Sequence, residues 1–166
     1  MFRLLLSATL STLLLSTASY AGPEDKVAAI DVSIDLDAVT NKAAALRYTN
    51  VANDLKDAIT AVLVDRISPE GEPGMILTID ISELELSNTY TEVVGSADTH
   101  LVGSVNVADA ANNANAKGFV LTVDVNQART MFAPDLDVAT LSAGSNEFYQ
   151  AMITAFATNV VLEMDK

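Results

Sequence analysis

Strict alternation of apolar and polar residues constrains this chain more than any other feature. Ile30, Val32, Ile34 and Leu36 alternate with aspartates and a serine, and similar alternation recurs in 75–87, 100–110 and 118–128. Successive side chains of a strand point to opposite faces, so a period of two predicts four half-buried strands. The polar side of the sheet should carry Asp31, Ser33, Asp35, Asp37, Thr78, Asp80, Ser104, Asn106, Thr122 and Asp124.

Two interruptions of the alternation have a structural interpretation. The apolar parity of 75–87 changes between Ile81 and Leu84. One extra residue in a strand has this effect, which predicts a β-bulge near Ser82 and Glu83. Gly103 leaves one inward-facing position of the third strand without a side chain.

Two segments have helical rather than strand periodicity. Apolar residues return every three or four positions from Tyr48 to Ile67, with Thr49 or Asn50 available as the N-cap, and the run SPEGEPG ends this helix. A second helix follows Ser145, with an apolar stripe. Its members are Tyr149, Met152, Ile153, Phe156, Val160 and Met164. The stretch 129–144 contains Pro134 and has no clean period, which predicts a loop.

The order of these segments predicts an α+β fold of β-α-β-β-β-α plan. A helix that connects the first two strands makes them parallel, whereas short links make the last three strands an antiparallel meander. We therefore expect a four-stranded mixed sheet with two helices on one face. No repeat or linker divides residues 22–166, which we interpret as a single domain.

Residues 1–21 have the anatomy of a secretory signal peptide. Arg3 provides the positive charge, and an uncharged leucine-rich stretch from Leu4 to Leu15 follows it. Ser19 and Ala21 are small residues suited to cleavage after Ala21, and the apolar run is too short for a usual membrane span. We expect a periplasmic or secreted protein without a stable membrane anchor after cleavage.

Composition excludes several classes of chemistry and partner. The chain has no cysteine, which removes lipid tethering through a cysteine, disulfides, thiol catalysis and thiolate metal sites. It has 22 acidic residues against 9 basic ones, a net charge of −13, and the basic residues are scattered singly. Such a surface repels phosphate backbones and anionic lipids, so we expect no nucleic acid partner.

Catalytic groups are few. His100 is the only histidine, and Asp98 and Ser104 near it complete a Ser-His-Asp set on paper. No G-x-S-x-G motif accompanies it, and a solvent-facing strand histidine is the better interpretation. A hydrolase centred on His100 stays an alternative, but we assign no catalytic residue.

Calcium is the other alternative, because it is bound by carboxylate oxygens without cysteine or histidine. Asp35 and Asp37, together with Asp80 and Asp124, are candidates if neighbouring strands bring them together. No EF-hand loop occurs, and PDLDVAT, with Asp135 and Asp137, matches only part of that pattern. A calcium-dependent structural protein therefore stays open, while no metal ligand, cofactor site or phosphate-binding loop is assigned.

The passage ALRYTNVANDLKDAITAVLVDRIS, followed by GMILTIDISELELS and two more strands, resembles small exported bacterial envelope proteins. The similarity spans Val27 to Val125 and is to the auxiliary lipoproteins of ABC-type transport systems and their α-proteobacterial relatives. This chain lacks the acylated cysteine of those lipoproteins. The resemblance implies a non-catalytic accessory role in envelope assembly or transport, with no active-site residues.

The sequence as a whole predicts a non-enzymatic binding or assembly module of the periplasm or the extracellular space. Its contacts would use the polar sheet face, or an edge strand that accepts a further strand. The expected partner is another envelope protein.

Overall fold

The computed structural model describes residues 26–34, 50–85, 100–109, 113, 116–132 and 145–166. The strands are β1 (Val27–Ile34), β2 (Met75–Glu85), β3 (His100–Asp109) and β4 (Lys117–Asp124). The helices are α1 (Val51–Val62), α2 (Val125–Arg129) and α3 (Asn146–Met164), and a short 3-10 helix, Val64–Arg66, follows α1. The predicted α+β plan is confirmed, with one short helix added to it.

The four strands form one mixed sheet in the order β1-β2-β3-β4. β1 is parallel to β2, and both β2–β3 and β3–β4 are antiparallel, as the sequence predicted. The register of β2 against β3 shifts between Ile81 and Glu83, which confirms the predicted bulge. A second irregularity, between Val27 and Ala29 of β1, was not predicted.

α1 begins at Val51, as expected for Asn50, one of the two residues that the sequence offered as the N-cap. Asn50 occupies the N-cap position but makes no side-chain capping hydrogen bond, and Thr49 and Tyr48 lie outside the described residues. The helix buries Val51, Leu55 and Ile59, whose spacing of four places them on one side. The chain then turns through Gly71 at φ +83°, a conformation in which glycine has no steric penalty.

α3 begins where the sequence predicted. The Ser145 side chain accepts a hydrogen bond from the Phe148 backbone N–H at 3.1 Å, which makes it the N-cap. Met152, Ile153, Phe156, Val160 and Met164 of the predicted stripe are buried, and Tyr149 is half-buried. Phe148 and Ala151, Ala155 and Ala157 are buried as well, so more of this helix faces the core than a single stripe would.

The end of β4 differs from the prediction. Alternation suggested a strand continuing through Val125, but β4 ends at Asp124 and α2 begins immediately after it. The Asp124 carboxylate accepts from the Gln127 N–H at 2.9 Å, and the Asp124 N–H donates to Gln127 Oε1 at 2.9 Å. This reciprocal pair is a capping box, which satisfies backbone donors that a strand end leaves free.

α1 and α3 lie side by side and run parallel. Near their first turns, the Tyr149 hydroxyl donates to Asp54 Oδ2 at 2.6 Å. At their far ends, Arg66 pairs with Asp165 at 2.7 Å. Contacts of α1 with β1, and of α3 with β3 and β4, place both helices on one face of the sheet, as predicted.

Gly103 allows close packing between the helices and the sheet. A Cβ atom at this position would lie 3.0 Å from Cζ of Phe156 and 2.9 Å from Cδ1 of Ile81. The space that the missing side chain leaves is therefore occupied by the aromatic ring of α3. Phe156 is fully buried and sits in a single core between the sheet and the helices.

Candidate binding surface

The sheet face opposite the helices is exposed in the part of the chain that the structure describes. We call it the open face and define it by the outward-pointing residues of the four strands. From β1 to β4 these include Asp31, Ser33, Ile76, Thr78, Asp80, Val102, Ser104, Asn106, Ala108, Gly118, Val120, Thr122 and Asp124. Each polar residue named here was predicted to face outward, and the burial of inward neighbours such as Leu77 and Val105 agrees with that parity. His100 has the same parity on β3, because it pairs with Asp124 and the next residue, Leu101, is buried.

Two rows of side chains cross the whole open face. One row consists of Asp31, Thr78, Asn106 and Gly118, which are Cα partners in successive strand pairs. The next row consists of Ser33, Asp80, Ser104 and Val120. The middle positions of both rows are uncharged except for Asp80, and the acidic side of the face lies along β1 and β2.

Asp80 is held in place by its neighbour on β1. The Ser33 hydroxyl lies 3.2 Å from Asp80 Oδ1 and 3.3 Å from the Ile79 carbonyl oxygen, both within hydrogen-bond distance. Asp31 lies two residues before Ser33 on β1, and Ser33 is the Cα partner of Asp80 on β2. Both carboxylates are exposed, and together they make this side of the face negative.

Three basic side chains of the described residues are bound at helix ends rather than on the open face. Lys26 donates to the Asp65 carbonyl oxygen at 2.8 Å, and Lys117 donates to the Met164 carbonyl oxygen at 2.7 Å. With the Arg66–Asp165 pair, three cations lie at the C-terminal ends of α1, its 3-10 extension and α3. Cations are favoured there because the parallel helix dipoles place their negative ends together. The carboxylates of the open face therefore have no lysine or arginine of the described strands beside them.

The sequence analysis did not identify the apolar residues of the open face. Ile76 is 41 % exposed and Val120 is 70 % exposed. Both occupy outward positions of the same alternation that predicted the polar residues, so the signal was present in their parity. Apolar side chains on an otherwise polar face contribute to binding when a partner covers them.

His100 does not meet the serine proposed for it. It is half-buried at the start of β3, where its Cα partners are Glu85 of β2 and Asp124 of β4. Ser104 lies four residues further along β3, about 13 Å away at the usual rise per residue. Asp98 lies outside the described residues. The arrangement drawn from sequence with Ser104 is therefore not assembled.

Two of the carboxylates considered for calcium are also separated. Asp80 lies on β2 and Asp124 on β4, with β3 between them, so the prediction that neighbouring strands bring them together is wrong. Asp124 is engaged in its capping box. Asp35, Asp37, Asp135 and Asp137 lie outside the described residues, and no cluster of three or more metal-ligating side chains occurs among those that are described.

The helices that the structure describes include none long and apolar enough to cross a membrane. Residues 1–21, interpreted as a signal peptide, are outside the described part of the chain.

The chain matches no protein-family model and no curated protein sequence. Among solved structures it is similar to the PelC dodecamer protein of Paraburkholderia phytofirmans, with a TM-score of 0.45 and 10% identity over 84% of this chain and 87% of that one. A DUF330 protein of Xanthomonas campestris gives a TM-score of 0.45 and 11% identity over 82% and 81% of the two chains. A minor lipoprotein of Acinetobacter baumannii gives 0.40 and 14% identity over 84% and 92%.

These similarities include lipoproteins. At TM-scores below 0.5 they carry no argument about activity or partners. The relation to auxiliary lipoproteins of transport systems stays a prediction.

Proposed function

We propose that this chain is an exported, non-enzymatic envelope protein that binds another protein through its open face. One observation carries the proposal: among the residues that the structure describes, the four-stranded sheet has helices on one side only, and its other side exposes a broad surface with acidic and apolar residues. The signal-peptide pattern of residues 1–21 supports a location in the periplasm or outside the cell.

Charge complementarity favours a basic protein surface as the partner. Asp31 and Asp80 are exposed on the side of the face formed by β1 and β2, and Lys26, Arg66 and Lys117 are bound at helix ends instead. A basic protein surface placed on the acidic side gains attraction and a faster encounter. Ile76 and Val120 add apolar contacts to either side of the polar centre.

The proposal predicts that reversing charge on the open face abolishes capture of the partner. The tagged protein is expressed in its own envelope, cross-linked and purified, and the captured proteins are quantified by mass spectrometry. Asp31→Lys with Asp80→Lys should lower recovery of the specific partner at least tenfold, because both substitutions place cations against a basic surface.

A matched control reverses two charges away from the open face. Asp57 of α1 and Glu70 of the following turn are also exposed, and Asp57→Lys with Glu70→Lys changes the net charge equally. This control should capture the partner as the wild type does. Equal capture by both double variants, or an open-face variant that captures as much as wild type, would rule out the open face as the binding surface.

A further inference from the structure

The two edges of the sheet are protected to different degrees. At the β1 edge, the Val27 carbonyl oxygen accepts from the Ser68 N–H at 2.9 Å, and Val27 forms a parallel bridge with Ile67. The register irregularity after Val27 and the exposed Asp31 add two further features that discourage strand addition.

Among the contacts of the described residues, none gives the central residues of β4 such protection. Its register against β3 is continuous from Lys117 to Asp124. The residues between these two, Gly118–Val123, include no charge and no proline, and four of them are the strand formers Phe119, Val120, Thr122 and Val123. Lys117 does not protect the edge from strand pairing either, because its ammonium group donates to the Met164 carbonyl oxygen of α3.

Val120 is the most exposed large apolar residue in the part of the chain described, at 70 %. It lies in the middle of β4 on the open face, opposite Ser104 of β3. An unprotected edge with an exposed apolar residue at its centre is a template for pairing with another strand.

We propose that a second copy of this chain pairs with β4 along this edge, antiparallel and centred on Val120. A two-fold axis perpendicular to the sheet keeps each face on the same side, so residues of equal parity stand opposite one another. Val120 then faces Val120 of the partner subunit, and Gly118 faces Thr122 of the partner subunit. On the helix side, Phe119 faces Leu121 of the partner subunit.

This pairing is self-complementary. The cross-strand pairs within Gly118–Thr122 are uncharged, and Val123 faces Lys117 of the partner subunit, so the joint itself contains no like-charge contact, and the two exposed valines cover each other. A basic peptide would find no carboxylate along this strip to attract it, which favours a second copy as the occupant. The proposal does not depend on the function proposed for the open face, although pairing would join two open faces into one surface.

The strip is short compared with a standard interface of about 1,600 Å². We therefore expect a reversible dimer whose fraction rises with protein concentration. Sedimentation velocity of the purified protein over a hundredfold concentration range should show a shift from monomer towards dimer. A sedimentation coefficient that stays at the monomer value over that range would overturn the proposal.

Charge variants at the centre of the joint test the register. Val120→Lys and Val120→Asp each place like charges opposite one another in a homodimer, so each should raise the dimer dissociation constant at least tenfold. An equimolar mixture of the two should recover association, because lysine then faces aspartate. Val64→Lys is the matched control, since Val64 is 68 % exposed in the 3-10 helix, and it should associate as the wild type does.

Circular dichroism of each variant verifies that the fold is kept. Undiminished dimer in both Val120 variants, or a folded mixture that stays monomeric, would contradict pairing centred on this residue. An equal loss of dimer in Val64→Lys would show that added charge in general, rather than the β4 edge, controls the association.

Discussion

At the scale of single residues, Gly103 shows how one missing side chain determines the packing of a helix. Its position on β3 faces inward, between Ile81 of β2 and the ring of Phe156. Any larger residue must displace an aromatic ring that is fully buried, and close-packed interiors accommodate such shifts poorly.

We predict that Gly103→Ala lowers the free energy of unfolding by about 1–2 kcal/mol. Overpacking of a core costs about 1–3 kcal/mol, partly offset by the lower backbone entropy of alanine in the unfolded chain. Urea denaturation followed by circular dichroism measures the difference. The double variant that combines Gly103→Ala with Phe156→Leu should lose less stability than the sum of the losses in the two single variants. The reason is that the smaller leucine side chain leaves room for the new methyl group.

Gly118→Ala provides the control for this prediction. A Cβ atom there would lie 3.2 Å from the Asn106 side-chain oxygen, which can move because Asn106 is exposed. Its stability should stay within about 0.5 kcal/mol of wild type, as for most surface changes. If Gly103→Ala were equally neutral, the close contact between α3 and the sheet would be refuted.

At the scale of elements, polar contacts join α1 and α3 at both ends of the helix layer. The Tyr149 hydroxyl lies between these helices and is bound to Asp54. Partial burial, the hydrogen bond to the carboxylate and its negative charge all raise the pKa of Tyr149 above its usual value. The folded protein therefore favours the neutral phenol more strongly than the unfolded chain does.

This raised pKa predicts how stability depends on alkaline pH. The contribution is complete below pH 10, near the tyrosine pKa of the unfolded chain, and it falls as pH rises further because only the unfolded state readily ionises. Tyr149→Phe should lower stability at pH 8 by about 1–2 kcal/mol and should lose less stability than wild type between pH 9 and 11. Thermal unfolding at a series of pH values measures both effects.

Asp54→Asn separates the charge from the hydrogen bond in the same pair. Its amide oxygen still accepts from Tyr149, but the negative charge that opposes ionisation is absent. Absorbance at 295 nm should therefore show Tyr149 ionising at lower pH in this variant than in the wild type. Identical titration curves would indicate that Asp54 does not act on the phenol.

The junction of β4 and α2 shows where local reading of the sequence fails. The run Asp124-Val125-Asn126-Gln127 has the spacing of a capping box, with an acid followed three residues later by glutamine. It also continues the alternation of the preceding strand, and the strand interpretation placed Val125 in that register. The two patterns overlap, and only the geometry of the strand end decides between them.

At the scale of the whole molecule, charge is distributed unevenly although the sequence scatters it. The chain has a net charge of −13, and three of its basic side chains are bound at helix ends rather than on the open face. Cations are favoured at the shared C-terminal end of the two parallel helices. Their placement there leaves the acidic side of the sheet without neutralising charges.

This distribution predicts opposite salt dependences for the two proposed associations. Raising NaCl from about 0.05 to 0.5 M shortens the Debye length to a few ångströms. Dimerisation through β4 should strengthen, because screening reduces repulsion between two acidic copies. Capture of a basic partner on the open face should weaken, because screening reduces its attraction. Titrations of each complex against NaCl measure the two slopes, and slopes of the same sign would contradict one of the assignments.

The alternation of side chains by itself determined the strands, the bulge near Ser82 and the outward positions of the open face. These are local properties, because a period of two or of 3.6 residues specifies which side chains share a face. Ser145 as N-cap and the break at SPEGEPG were predictable for the same reason.

Only the tertiary structure decided which distant residues meet. It separated Asp80 from Asp124 by a strand, bound Tyr149 to Asp54, placed Phe156 against Gly103 and left β4 as the less protected edge. Such contacts depend on strand order, register and helix direction, which arise from packing of the whole chain and leave no mark in the local pattern of any one segment.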